Sequence, residues 1–172
     1  IHLPKYTQPP RTVLSFSPQQ VAEIFRRFPK GHQFFLPLAI SYYTGARFGE
    51  CCALTWQDVD FDTREISITR TVVEMSGGLT VQDVPKTSNS FRIIPCGKKL
   101  ISILRAEKAL QAAARLAGSG YADNFIIHDK HGKLMGPNAI RYFNIYIKKY
   151  GNGYSVHSMR HTHATMLLEA GE

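Results

Sequence analysis

Two residues near the end of the chain, His157 and Arg160, are of types that could handle a phosphate group. Residues three apart share a face of a helix, so an imidazole and a guanidinium are expected side by side. The guanidinium offers five donors and keeps its charge, whereas the imidazole can exchange a proton near neutral pH. The pair suits a phosphate, although an amphipathic helix can carry such a pair without any function.

Further groups of this kind occur earlier in the chain. Arg47 follows a Thr-Gly sequence typical of a helix end, and Lys86 lies in a polar, turn-like stretch. Glu50 stands three residues after Arg47 and could hold an arginine in place as a supporting acceptor. Three cations and a histidine make a good cage for a phosphodiester, because charge grows on its oxygens during phosphoryl transfer. Taken alone, Arg47 and Glu50 could equally be a surface ion pair, and Lys86 a solvated lysine.

The elements that must position these groups are mainly helical. Ser17-Pro18-Gln19-Gln20 combines a hydroxyl cap, a proline at the first helical position and a glutamine at the third, which predicts a helix over 17–28. The apolar run over 33–43 predicts a buried helix that Gly45 ends. Further helices are predicted over 47–54, over 98–116, from Pro137 to Tyr150, and from His157 onward.

Between the helices the hydrophobic period changes to two. The alternation over 65–72 predicts a strand, and two more strands are predicted over 79–84 and 91–96. Residues 86–90 would join the last two as a turn, which places Lys86 near the tip of a hairpin. The predicted fold class is therefore α+β: mainly α with a small antiparallel three-stranded β-sheet.

The net charge of +8 is concentrated in the second half of the chain. Residues 1–85 hold eight Lys or Arg and eight Asp or Glu, whereas residues 86–172 hold thirteen and five. Arg92, Lys98 and Lys99 lie in the most basic stretch and are the predicted DNA-binding residues, because a basic stripe is the footprint of a phosphate-backbone binder. A solvated helix face would explain the same charges.

Other features narrow the function classes. The three cysteines show no C-x-x-C spacing, and no apolar run is long enough to cross a bilayer, so a cytoplasmic protein is expected. His157 and His161 could bind zinc from one helix face, but the glutamate of the H-E-x-x-H pattern is lacking and no carboxylate follows until Glu169. No metal or other cofactor is predicted.

Three stretches resemble motifs of the tyrosine recombinases, the phage-integrase family. Residues 44–50 (TGARFGE) with 54–60 (LTWQDVD) resemble its first arginine box, 86–95 (KTSNSFRIIP) its lysine-bearing hairpin, and 157–162 (HSMRHT) its second box. They occur in the family's order. The resemblance implies that residues 17–172 form an integrase catalytic domain and that residues 1–16 are a linker from an upstream domain.

The resemblance also implies a chemistry. The family exchanges DNA strands at specific sites through a 3′-phosphotyrosine, without a metal. By resemblance, Arg47 and Arg160 clamp the scissile phosphate. Lys86 protonates the leaving 5′-oxygen, and His157 acts as an acid/base or as a phosphate donor. The implied partners are double-stranded DNA and other recombinase protomers bound to it, and no membrane is implied.

One departure from the family pattern concerns the nucleophile. The family's tyrosine lies downstream of the second box, whereas all eight tyrosines of this chain precede it. The chain is therefore expected to be a C-terminally truncated catalytic domain that does not cleave DNA by itself. The alternative is a non-catalytic DNA-binding module or truncated regulator that keeps the basic phosphate cage.

Overall fold

The computed structural model describes residues 14–83, 91–118, 120–121 and 123–171. Six α-helices cover a little under half of these residues: α1 (Pro18–Arg27), α2 (Phe35–Thr44), α3 (Phe48–Cys52), α4 (Lys98–Leu116), α5 (Arg141–Ile147) and α6 (His157–Ala170). Short 3-10 turns cover Trp56–Asp58, Pro137–Ile140 and Lys148–Tyr150. Within the described part of the chain, no helix combines the length and the apolar character that a membrane crossing needs.

The described residues also contain five short strands: β1 (Val59–Asp60), β2 (Glu65–Ile68), β3 (Arg70–Met75), β4 (Gly78–Asp83) and β5 (Arg92–Pro95). They form two antiparallel sheets, one of three strands in the order β1-β2-β5 and one of two strands, β3-β4. The fold-class prediction of a mainly helical domain with a small antiparallel sheet is confirmed.

The predicted pairing of the strands is wrong in one respect. β4 pairs with β3 rather than with β5, and β5 pairs with β2, so the second and third predicted strands are not paired with each other. The predicted strand over 65–72 divides at Thr69 into β2 and β3, which belong to different sheets. Local alternation cannot show which strands pair, because pairing depends on tertiary contacts. Lys86 itself lies outside the described residues.

Helix ends follow the local sequence. The Ser17 hydroxyl accepts a hydrogen bond from the Gln20 N–H at 3.3 Å, and the Gln20 side chain accepts one from the Ser17 N–H at 2.8 Å. This reciprocal cap begins α1 as predicted. Gly45 ends α2 in the left-handed conformation, with φ of 66°, which a glycine adopts without strain.

The core lies between the helices and the inner face of the three-stranded sheet. Its largest fully buried side chains come from helices, from β2 and from loops: Ile24, Phe34, Leu38, Ile40, Ile66, Ile68, Leu100, Leu104, Ile126, Ile127, Met135 and Phe143. α6 is fixed at two points: Met159 is fully buried, and the Thr162 hydroxyl accepts a hydrogen bond from the Phe16 N–H at 2.8 Å. The start of α6 is held to α5 by Asn144, whose side chain accepts from the Val156 N–H at 3.0 Å.

A buried polar link joins α4 to the loops around it. The Gln111 side-chain oxygen accepts from the Trp56 indole N–H at 2.9 Å, and its amide donates to the Ile126 carbonyl at 2.8 Å. Gln111 is only 1% exposed, so water cannot replace these bonds.

We expect Gln111→Leu to lower the free energy of unfolding by about 2–4 kcal/mol, because it leaves two buried polar groups without partners. Leu110→Ala on the exposed side of the same helix is the control and should change stability by less than about 0.5 kcal/mol. Urea denaturation of the three proteins measures both effects. Equal stability of the Gln111→Leu variant and the wild type would contradict the role given to this link.

Candidate functional site

A buried carboxylate, Glu50, organises the candidate site. Its side chain is 2% exposed and lies in the first turn of α3. Its two oxygens accept from the Arg47 N–H at 2.8 Å and the Arg47 guanidinium at 3.0 Å, and from the Arg92 guanidinium at 2.6 and 3.2 Å. One carboxylate therefore holds two arginines that are 45 positions apart in sequence.

The packing of α3 explains how these groups meet. A Cβ atom on Gly49 would lie 2.8 Å from the Val72 carbonyl oxygen and from the Thr71 hydroxyl, so only a glycine allows α3 to approach β3 this closely. β5 pairs with β2, with Arg92 opposite Ile68, the residue that ends β2 just before β3. Arg92 is thereby brought beside Glu50.

The pKa of Glu50 is lowered by these contacts. Burial alone would raise the pKa, but the hydrogen bonds from Arg92 and from the backbone and guanidinium of Arg47 outweigh burial, and the pKa lies below its usual value of 4.5. Glu50 is thus ionised at neutral pH.

A third arginine, Arg160, reaches the same place from α6. Its guanidinium donates to the Gly45 carbonyl at 2.6 Å, two residues before Arg47. Burial lowers the pKa of Arg160 below its usual value, the positive charges of Arg47 and Arg92 lower it further, and Glu50 partly offsets these effects. We call Arg47, Glu50, Arg92 and Arg160 the arginine cluster.

The arginine cluster carries three positive charges and one negative charge. The Arg47 side chain is 55% exposed, whereas the Arg92 side chain is 22% exposed. Of the two arginines bound to Glu50, Arg47 is therefore the more accessible to a ligand. Repulsion among the guanidiniums falls when an anion binds, because the anion compensates the excess charge. A phosphodiester fits, since a guanidinium can donate to two of its oxygens at once.

The remaining predicted site residues lie at the starts of α6 and α4 or outside the described residues. His157 is exposed at the first position of α6, one turn before Arg160. Lys98 and Lys99 are exposed in the first turn of α4, and the Lys99 ammonium lies 5.9 Å from the centre of the Tyr43 ring, near the end of α2. Lys86 falls within residues 84–90, which are not described.

Arg92 was predicted to bind DNA, and this role stays a prediction. In the structure, its guanidinium donates to the Glu50 carboxylate and so forms part of the arginine cluster. Sequence reasoning also assigned no step to His163, which packs against Gly45 beside Arg160. The spacing of three residues between Arg160 and His163 is the available signal.

Among the residues that the structure describes, no three His, Cys, Asp or Glu side chains come together in a way that could hold an ion. The positive charge of the site comes from guanidinium groups.

Solved structures place the fold among the tyrosine recombinases. The Tn1549 transposon integrase (residues 82–397), in complex with a circular intermediate DNA, matches with a TM-score of 0.73 at 24% identity over 98% of this chain and 56% of that chain. The XerA recombinase matches with a TM-score of 0.68 at 19% identity over 95% of this chain and 54% of its own. These likenesses show a shared fold.

The chain belongs to the phage integrase family, whose model matches residues 17–172. A tyrosine recombinase XerC-like protein of Caldanaerobacter subterraneus subsp. tengcongensis is 29% identical over 91% of the chain, and the ICEBs1 integrase of Bacillus subtilis is 27% identical over 90%. The chain spans 44% and 43% of the lengths of these two relatives, so it corresponds to less than half of each.

We expect Glu50→Gln to lower the free energy of unfolding by about 2–3 kcal/mol at pH 7, because it removes the charge that both arginines need. The folded-state pKa is lowered, so this contribution is present above pH 4.5 and is lost as the pH falls through the folded-state value below it. The difference between variant and wild type should therefore shrink in acid.

Glu74→Gln, at an exposed acid of β3, is the matched control and should have little effect at either pH. Denaturation curves at pH 7 and at about pH 3 measure the effect. An equal loss in the Glu50→Gln variant at both pH values would contradict the electrostatic role and indicate packing alone.

Proposed function

We propose that this chain is the catalytic domain of a site-specific DNA recombinase, an integrase that cuts and rejoins DNA by transesterification through a 3′-phosphotyrosine. The tyrosine nucleophile is expected from sequence outside these 172 residues, and residues 1–16 are proposed to be the linker to an upstream domain. The observation that carries the proposal is the arginine cluster, in which one buried carboxylate holds two arginines beside a third.

The proposed role of Arg47 and Arg160 is to hold the non-bridging oxygens of the scissile phosphate. Arg160 uses one edge of its guanidinium on the Gly45 carbonyl, which fixes the group and leaves its other donors for the phosphate. Donors that are already oriented stabilise the charge that develops in the transition state without reorganising. Glu50 and Arg92 support this arrangement from the buried side.

The proposed reaction also requires proton transfer. The tyrosine oxygen forms a bond to phosphorus while the bond to the 5′-oxygen breaks, and Lys86 gives a proton to that leaving oxygen. His157 accepts the tyrosine proton, or it donates to the phosphate while solvent water accepts that proton. Its exposed position at the start of α6 leaves it accessible to DNA. The arginines supply the positive charge at phosphorus, so the proposed steps use no metal.

The proposed partners are double-stranded DNA and further recombinase protomers on that DNA. Solved relatives include the Tn1549 integrase with circular intermediate DNA and a lambda integrase tetramer bound to a Holliday junction. Lys98 and Lys99 are proposed to contact the DNA backbone beside the cluster. The cytoplasm is the proposed location, because DNA is the proposed substrate.

Arg47→Ala provides the test, because the Arg47 backbone N–H and the Arg92 guanidinium still donate to Glu50 after the substitution. A denaturation curve of the variant checks that it remains folded. In a recombinase polypeptide that contains this chain and the tyrosine, we expect cleavage to fall about 10²–10³-fold and DNA affinity far less. The salt dependence of duplex binding should also weaken, by about one unit of slope.

Arg26→Ala is the matched control, since it removes the same charge from an exposed position on α1. It should leave cleavage nearly unchanged. Covalent protein–DNA adducts measure cleavage, and titration of labelled duplex DNA at several salt concentrations measures binding. Equal losses of cleavage and of binding in Arg47→Ala would contradict the proposal and indicate an ordinary backbone contact.

A further inference from the structure

His163 lies one turn after Arg160 on α6 and faces the end of α2. Its Nδ1 atom is 3.0 Å from the Tyr42 carbonyl oxygen. Its ring also lies against Gly45: the Cδ2 atom would be 2.9 Å from a Cβ placed on that glycine. The ring therefore touches the same residue whose carbonyl oxygen accepts from Arg160.

The hydrogen bond to Tyr42 fixes the tautomer of the ring. A carbonyl oxygen can only accept, so Nδ1 must carry a proton. Burial lowers the pKa of His163 below its usual 6.5, the bond to Tyr42 opposes this, and the charge of Arg160 adds to the lowering. The ring is thus neutral at neutral pH, with its proton on the atom that faces α2.

The end of α2 explains why two side chains of α6 meet there. The last carbonyl groups of a helix have no partner within the helix and carry a partial negative charge. His163 donates to the Tyr42 carbonyl in the last turn, and Arg160 donates to the Gly45 carbonyl just after it. Two donors one turn apart on α6 thereby cap the end of α2.

Gly45 makes this contact geometrically specific. Its φ of 66° suits a glycine, and a side chain at this position would meet the His163 ring. The hydrogen bond to Tyr42 holds the ring in this contact, and α6 thereby carries Arg160 close to Arg47, two residues beyond Gly45.

We propose that His163 is a positioning residue for Arg160, which holds the guanidinium on the Gly45 carbonyl with its remaining donors turned to the phosphate. The inference rests on the proposed function for the phosphate, whereas the positioning itself concerns contacts within the chain. His163 acts through Arg160 and takes no proton from the substrate.

Two substitutions separate the hydrogen bond from the packing. His163→Phe keeps a ring of similar size against Gly45 but leaves the Tyr42 carbonyl without its donor. His163→Asn removes the ring but can place an amide N–H where Nδ1–H stands. Gln111→Leu is the control for stability, since it destabilises the chain at a link that involves Trp56 and Ile126 rather than the cluster.

The first readout is the ¹⁵N NMR spectrum of the Arg160 guanidinium in the 172-residue chain without ligand, where restricted rotation separates the signals of its nitrogens. We expect His163→Phe to merge these signals, and His163→Asn and Gln111→Leu to preserve them. Separate signals in His163→Phe would overturn the proposal, as would merged signals in Gln111→Leu.

The second readout is titration with inorganic phosphate, followed by the same signals. We expect His163→Phe to weaken phosphate binding about tenfold and His163→Asn about twofold or less. Equal weakening by the two variants would overturn the role of the Nδ1 donor. If the wild-type Arg160 signals do not respond to phosphate, the proposed function fails, and the first readout still decides the positioning role.

Discussion

The candidate site depends on one electrostatic constraint, the burial of an ionised carboxylate. A carboxylate that is 2% exposed is stable only with charged partners and hydrogen bonds around it, and Glu50 obtains them from Arg47 and Arg92. These partners come from the residue that precedes α3 and from β5, so the helix and the sheet must be correctly placed before the carboxylate has both arginines as partners. The fold and the site are therefore specified by the same contact.

The same constraint prepares the site for an anion. Three guanidiniums near one carboxylate repel one another, and the lowered pKa of Arg160 reflects both its burial and this repulsion. Such an arrangement costs free energy in the empty state and becomes favourable when a phosphate compensates the charge. The caps that α6 places on the end of α2 keep Arg160 in position against this repulsion.

Much of the fold could be predicted from local sequence. The Ser17 cap, the Gly45 helix end and the alternation over 65–68 depend on neighbouring residues, and the structure contains the corresponding elements. The spacing of Arg47 and Glu50 also suggested their contact. The bond between Arg92 and Glu50 joins residues 42 positions apart, and that between His163 and Tyr42 spans 121 positions, so no local pattern could reveal either. The pairing of β4 with β3 was missed for the same reason, because alternation gives the face of a strand but not its neighbour.

The most direct test of the account is a crystal structure of the 172-residue chain bound to a short DNA duplex. The account predicts one backbone phosphate whose oxygens accept hydrogen bonds from both Arg47 and Arg160, with Glu50 still bound to Arg47 and Arg92. A complex in which the duplex contacts only α4, while Arg47 and Arg160 bind no phosphate, would contradict it.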